Sequence, residues 1–149
     1  MLTRRGKIIA IIFGAAIVAV GSVIAVYLLI IAPSFVGRTG PDGAMLKQYV
    51  DPAALKTLTE RPREDIWIID VRPASAYRAG HIPTARSFPS SEIESRLTEL
   101  PREKYLIIYC ETGGRVEAVI RKLKRHGYTR YMNWGASYRW PYDWATGAN

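Results

Sequence analysis

The 149-residue chain has one cysteine and two histidines. A lone thiol excludes an intrachain disulfide, and it leaves the redox character of the compartment open. One cysteine and two distant histidines give too few ligands for a structural zinc site, and no nucleotide-binding motif is present, so no metal or organic cofactor is implied. The sequence has no internal repeat and no low-complexity tract. Its most conspicuous deficit is charge: none of the 25 residues from Ile8 to Ala32 carries any. As a helix rising about 1.5 Å per residue, this run would exceed the roughly 30 Å hydrocarbon core of a bilayer. A buried core helix would show a polar face at helical period, and none exists here. A cleavable signal peptide could use the small residues Ala19-Val20-Gly21, yet the apolar run continues well past the roughly 7–15 residues of a secretory segment. The expectation is therefore an uncleaved single-pass span over 8–32, with a short N-terminus, 1–7, before it. Arg4, Arg5 and Lys7 precede the run and only Arg38 follows closely. By the positive-inside rule this places the N-terminus in the cytoplasm and the remainder outside, a periplasmic domain on the inner membrane with the lipid bilayer as a partner.

Residues 33–46, PSFVGRTGPDGAML, are rich in proline and glycine without apolar periodicity and read as a tether. A soluble domain of ordinary size remains, 47–149. The chain has a net charge of +8, or near +5 without the three basic residues ahead of the span. The basic residues lack the aromatic interleaving of a nucleic-acid surface, so nucleic acid is not an expected partner.

Within the domain, apolar strands alternate with amphipathic helices. Lys47–Val50 reads as a short strand. Asp51-Pro52 supplies an N-cap and a first-turn proline for a helix to about Glu60. Ile66–Val71 and Tyr105–Tyr109 are continuous apolar strands. Pro73–Ala79 fits a short helix stopped by Gly80, Ala85–Phe88 a further strand, and Ser90 or Ser91 can cap a helix bearing Ile93, Leu97 and Leu100. Val116, Val119, Ile120 and Leu123 recur at helical spacing in a helix over Arg115–His126, ended by Gly127, and Tyr131-Met132 fits a last strand. Such alternation predicts a parallel sheet with right-handed crossovers, an α/β domain whose ligands bind beyond the carboxyl ends of the strands.

Cys110 stands at that end, in Tyr109-Cys-Glu-Thr-Gly-Gly-Arg115. A cysteine at a helix N-terminus faces the positive end of the helix dipole and unpaired backbone N–H groups, both of which favour the nucleophilic thiolate. Gly113 and Gly114 allow successive N–H groups to converge as an anion nest, and the Arg115 guanidinium suits an oxyanion. The loop is expected to face solvent, with Cys110 as nucleophile and Glu111, Thr112, Gly113, Gly114 and Arg115 as the substrate-binding loop.

Asp70-Val71-Arg72, Gly80-His81-Ile82-Pro83 and Cys110-x-x-Gly-x-Arg115, in this order, with Gly135-Ala136 and Trp140 beyond them, resemble the rhodanese-like family of persulfide-forming sulfurtransferases. The resemblance extends from about Tyr49 to Trp140. It implies a five-stranded parallel sheet flanked by helices, and a Cys110 that carries sulfane sulfur from thiosulfate or a persulfide to a thiophilic acceptor, either a small molecule or a protein. Three residues depart from the pattern. Thr84 and Ala136 stand where glycine is frequent, and Glu111 sets a carboxylate beside the nucleophile, which disfavours a dianionic donor. Asp70, Arg72 and His81 are expected to brace the strand ends rather than to react.

Two other readings compete. A non-catalytic module of the same fold would dock on a membrane or periplasmic partner through the aromatic run Trp134–Trp144, but such a module need not keep the cysteine loop. A cysteine-dependent phosphatase or arsenate reductase is disfavoured by loop size: four residues separate Cys110 from Arg115, one fewer than in related phosphatases, which leaves less room for a tetrahedral anion.

Overall fold

The computed structural model describes residues 35–147. The apolar run 8–32, with the span and topology expected of it, lies outside the described residues. Among the described residues no helix is long and apolar enough to cross a membrane.

Four parallel strands form one sheet in the order β2-β1-β3-β4, with β1 at Ile66–Asp70, β2 at Arg86–Ser87, β3 at Tyr105–Cys110 and β4 at Tyr131–Ala136. The helices are α1 at Pro52–Glu60, α2 at Ala74–Ala79 and α3 at Gly114–Arg125. Each expected helical signal here has a visible cause. The Asp51 carboxylate accepts from Ala53 N–H at 2.7 Å with Pro52 in the first turn. Gly80 closes α2 by donating to the carbonyls of Ala76 and Tyr77. Val116, Val119, Ile120 and Leu123 form the buried stripe of α3, which packs with Ile69, Leu106, Ile108 and Tyr131 on one side of the sheet. The other side buries Leu55 and Leu58 of α1 with Ile68, Ile107, Met132 and Trp134. The sheet is thus covered on both faces, which is why its central strands read as unbroken apolar runs.

Three expectations are corrected. The sheet has four strands rather than five, because the edge beyond β4 is filled by backbone that runs the opposite way. Gly37 N–H donates to Asn133 O at 2.8 Å, Asn133 N–H to Arg38 O at 2.9 Å and Gly40 N–H to Tyr131 O at 2.9 Å, with an antiparallel bridge between Thr39 and Met132. The described part of the stretch read as a tether therefore lies along β4 as a strap. Second, the strand expected at Lys47–Val50 is part of a 3-10 turn over Ala44–Tyr49, whose Leu46 is fully buried. Third, the helix expected from Ser90 or Ser91 is a chain of turns ending in a 3-10 turn at Leu97–Glu99. Ser95 Oγ donates to Glu92 O at 2.9 Å, the local side-chain competition that disfavours serine within helices. Ile93 and Leu100 are buried regardless.

Candidate functional site

The carboxyl ends of β3 and β4 and the first turn of α3 meet at Cys110, the last residue of β3. Cys110 is opposite Ala136, and Tyr109 is opposite Gly135, after a register shift that lets β4 bulge between Asn133 and Gly135. The bulge puts Gly135 at φ +95°, left-handed territory that suits glycine, and a Cβ there would press within 2.8 Å of Val36. Across the turn, Gly113 takes φ +94° as the N-cap of α3 and donates its N–H to Cys110 Sγ at 3.0 Å. The turn that starts the helix therefore aims a backbone dipole at the sulfur.

The thiol does not face solvent as expected. Cys110 has no exposed surface and packs in the core cluster that holds Val71 and Val116. Strand alternation places its side chain on the α3 side of the sheet, below the loop. The exposed rim consists of Glu111, Thr112, Gly114 and Arg115. Glu111 Oε2 lies 3.7 Å from Arg115 Nη1, with the two side chains 62% and 45% exposed. The guanidinium that an anion would meet at the rim is thus already beside a carboxylate. A pair this open to water contributes little to stability, typically about 0–1 kcal/mol. It still sets the charge an approaching ligand encounters.

Asp70, Arg72 and His81 lie under the strand ends, in contacts of their own. Arg72 donates to both oxygens of Asp70, Nη2 to Oδ2 at 2.6 Å, and to Gly80 O. Tyr109 completes the group: its hydroxyl donates to Asp70 Oδ2 at 2.7 Å and accepts from Ile82 N–H at 3.1 Å. Burial and the adjacent Asp70 carboxylate hold the Tyr109 phenol well above the ordinary tyrosine range. The His81 ring stacks on Tyr77 at 3.8 Å, with Nδ1 2.9 Å from Tyr77 O. These residues tie β1 to β3 and to the Gly80–Pro83 turn.

Sequence reasoning passed over Tyr109 because an aromatic in an apolar run reads as core. Its polar tip, next to the cysteine, was the available signal. It also passed over Asn133, whose Nδ2 donates to Glu117 Oε1 at 2.6 Å in the first turn of α3, with Arg38 3.9 Å from the same carboxylate. Of the aromatic C-terminal run, Trp134 and Trp140 are core residues, whereas Tyr138 is 77% exposed. Thr84 has φ +65°, the left-handed conformation that explains why glycine suits this turn. A groove of about 690 Å³, bordered by Trp67, Tyr77, Arg86 and Phe88, flanks the β2 edge and includes no residue of the cysteine loop.

A parallel α/β sheet that delivers a cysteine to a helix N-terminus through a short glycine loop defines a class of α/β domains that carry a thiol where the ligands of such sheets bind. Comparison with known proteins narrows the class. Residues 51–138 match the rhodanese-like domain, and the chain belongs to that family. It is 33% identical over 70 residues to a sulfurtransferase of Allochromatium vinosum, a match covering 47% of this chain and 65%, just under two thirds, of that protein. It is 31% identical over 94 residues to YqhL of Bacillus subtilis, covering 60% of this chain and 75% of that one. Among solved structures, a rhodanese-like domain protein from Staphylococcus aureus superposes with a TM-score of 0.56 at 23% identity, covering 65% of this chain and 95% of that one. The BH2092 protein of Bacillus halodurans does so with a TM-score of 0.51 at 32% identity, over 60% and 68% of the two chains.

Proposed function

We propose that this protein is a membrane-anchored sulfurtransferase, single-pass in the inner membrane with its rhodanese-like domain in the periplasm. It moves sulfane sulfur through a persulfide on Cys110. The observation that carries the reading is the lone cysteine placed by β3 under the α3 N-terminus with the Gly113 N–H on its sulfur. Family membership supports sulfur transfer as the chemistry. The charge-free run 8–32, with basic residues ahead of it, supports the anchor and its direction.

In the first half-reaction the Cys110 thiolate attacks the outer sulfur of a donor. The bond from Sγ to that sulfur forms as the donor's S–S bond breaks, and the leaving group departs with the electron pair, as sulfite from thiosulfate or as a thiolate from a persulfide. Loop amides and Arg115 offset the charge of the departing anion. In the second half-reaction an acceptor thiolate or cyanide takes the outer sulfur, and the Cys110 thiolate is regenerated. No proton need be abstracted once the thiol is ionised, which is consistent with Asp70, Arg72 and His81 serving as braces.

The test is intact-protein mass spectrometry after exposure to thiosulfate or a small-molecule persulfide, followed by an acceptor thiol. One added sulfur, lost on treatment with the acceptor and absent in Cys110→Ser, is the expected result. A chain that never gains sulfur from either donor while remaining folded would instead be a docking module of the same fold.

A further inference from the structure

We infer that the face around the mouth of the cysteine loop rests on the lipid surface, so that the active site opens at the membrane headgroups. The inference builds on the anchor proposed above and adds an orientation to it. The direction of the strap carries the argument. It runs antiparallel to β4, with Asp42 against Thr129, Gly40 against Tyr131 and Gly37 against Asn133. Followed back toward the N-terminus, the chain therefore climbs to the carboxyl end of β4, where Val36 meets Gly135. Gly135 in turn lies under Gly113, since a Cβ on Gly113 would sit 3.9 Å from the Gly135 backbone. The chain thus joins the domain at the rim of the cysteine loop, not at the opposite end of the sheet.

The apolar run ends at Ala32, where Pro33 and Ser34 follow. Between Ala32 and Val36 there are four Cα-to-Cα steps, which even fully extended reach no more than about 14 Å. Sheet length compares directly with this reach: the six residues of β3 cover about 17–20 Å at a strand rise of about 3.3 Å. A leash this short holds the Cys110 end of the sheet at the headgroups and cannot present the other end there without tearing Gly37 and Arg38 from β4.

The side chains at this end fit an interfacial position. Tyr138 is 77% exposed in the turn that follows β4. Phe35 lies at the start of the strap with the Arg38 guanidinium 4.8 Å over its ring. Tyrosine is among the side chains enriched at the headgroup level, and arginine extends its charged head there from an apolar stem. Glu111 is balanced by Arg115 and Glu117 lies near Arg38, so neither acid faces anionic lipid without a cation beside it.

The experiment uses the full chain reconstituted in phosphatidylcholine–phosphatidylglycerol vesicles, with a single labelling site introduced in the Cys110→Ser background. Tyr138→Cys places a fluorophore at the mouth. Glu103→Cys, exposed and just before β3, places it at the far end. Lipids bearing a nitroxide on the headgroup should quench the label at 138 severalfold more than the label at 103, and the difference should vanish when detergent dissolves the vesicles. Equal quenching at both sites, stronger quenching at 103, or a chain that does not float with the vesicles overturns the inference. Sulfur loading of the unmodified chain in detergent is read separately, so failure of orientation and failure of sulfur transfer remain distinct.

Discussion

Replacing Glu111 by Gln removes one negative charge from the rim of the loop and releases Arg115 from its neighbour at 3.7 Å. Thiosulfate arrives as a dianion. At about 8 Å, with an effective dielectric of about 40–80 at so exposed a rim, its repulsion by Glu111 is about 1–2 kcal/mol before screening. Physiological salt, with a Debye length of about 8 Å, cuts that to roughly 0.4–0.8 kcal/mol. Freeing an exposed arginine adds at most about the worth of a surface ion pair, a few tenths of a kcal/mol. The sum is about 1 kcal/mol, so kcat/KM for thiosulfate should rise about fivefold. A singly charged persulfide donor meets half the repulsion and should gain about twofold or less. Steady-state sulfur transfer with both donors, at low salt and again near 1 M salt where the Debye length falls to about 3 Å, measures the selectivity directly. The gain for thiosulfate should collapse at high salt. Equal gains for both donors, or a gain indifferent to salt, would refute electrostatic selection by Glu111.

Arg115→Ala should lower kcat/KM for thiosulfate by about 2–4 kcal/mol of transition-state stabilisation if the guanidinium holds the departing sulfite; an unchanged rate would place the arginine outside the reaction. Thr84→Gly should stabilise the domain by about 0.5–1 kcal/mol in urea unfolding, because a β-branched residue at φ +65° costs about 1–2 kcal/mol and glycine returns part of that as backbone entropy. Tyr109→Phe should destabilise by about 1–3 kcal/mol, since it leaves the buried Ile82 N–H without its acceptor. The same phenol makes stability pH-dependent. Its folded pKa is raised, by burial and then by Asp70, so its contribution is complete below about pH 10, where the unfolded tyrosine is still protonated, and is lost as pH climbs above that. Denaturant titrations between pH 9 and about pH 11 should show a shallower decline in Tyr109→Phe than in the parent; parallel slopes would mean that other tyrosines carry the effect.

The strands β1 and β3 and the helices α1 and α3 were legible because local signals agree with tertiary context in each: continuous apolar runs, a capping aspartate with proline behind it, and an apolar stripe ended by glycine. The position of Cys110 at a strand–helix junction was legible for the same reason. Its burial was not. The thiol lies in one buried cluster with Val71, just past β1, and Val116 of α3, and sequence spacing carries no record of which side chains gather around it. The strap was invisible because its bonds to β4 are between backbone atoms, which leave no periodicity in the side chains. The expected helix after Ser90 failed where the Ser95 hydroxyl, bonded to Glu92 O, and short-range turns outweigh a modest apolar stripe. Thr84 is the opposite case: a residue unusual for its motif marked a backbone conformation that the structure then displays.

The strap along β4 also bears on where the domain can be cut. A fragment begun at residue 47, where the composition changes, would lack the bonds from Gly37, Arg38 and Gly40 to β4 and would lay open a full strand edge lined by Tyr131 and Met132. Unpaired strand edges recruit other chains, and natural sheets are shielded against it. Residues 35–46 act here as a self-supplied guard strand, so a soluble fragment that starts at Phe35 should remain monomeric at concentrations where one that starts at Lys47 aggregates edge to edge.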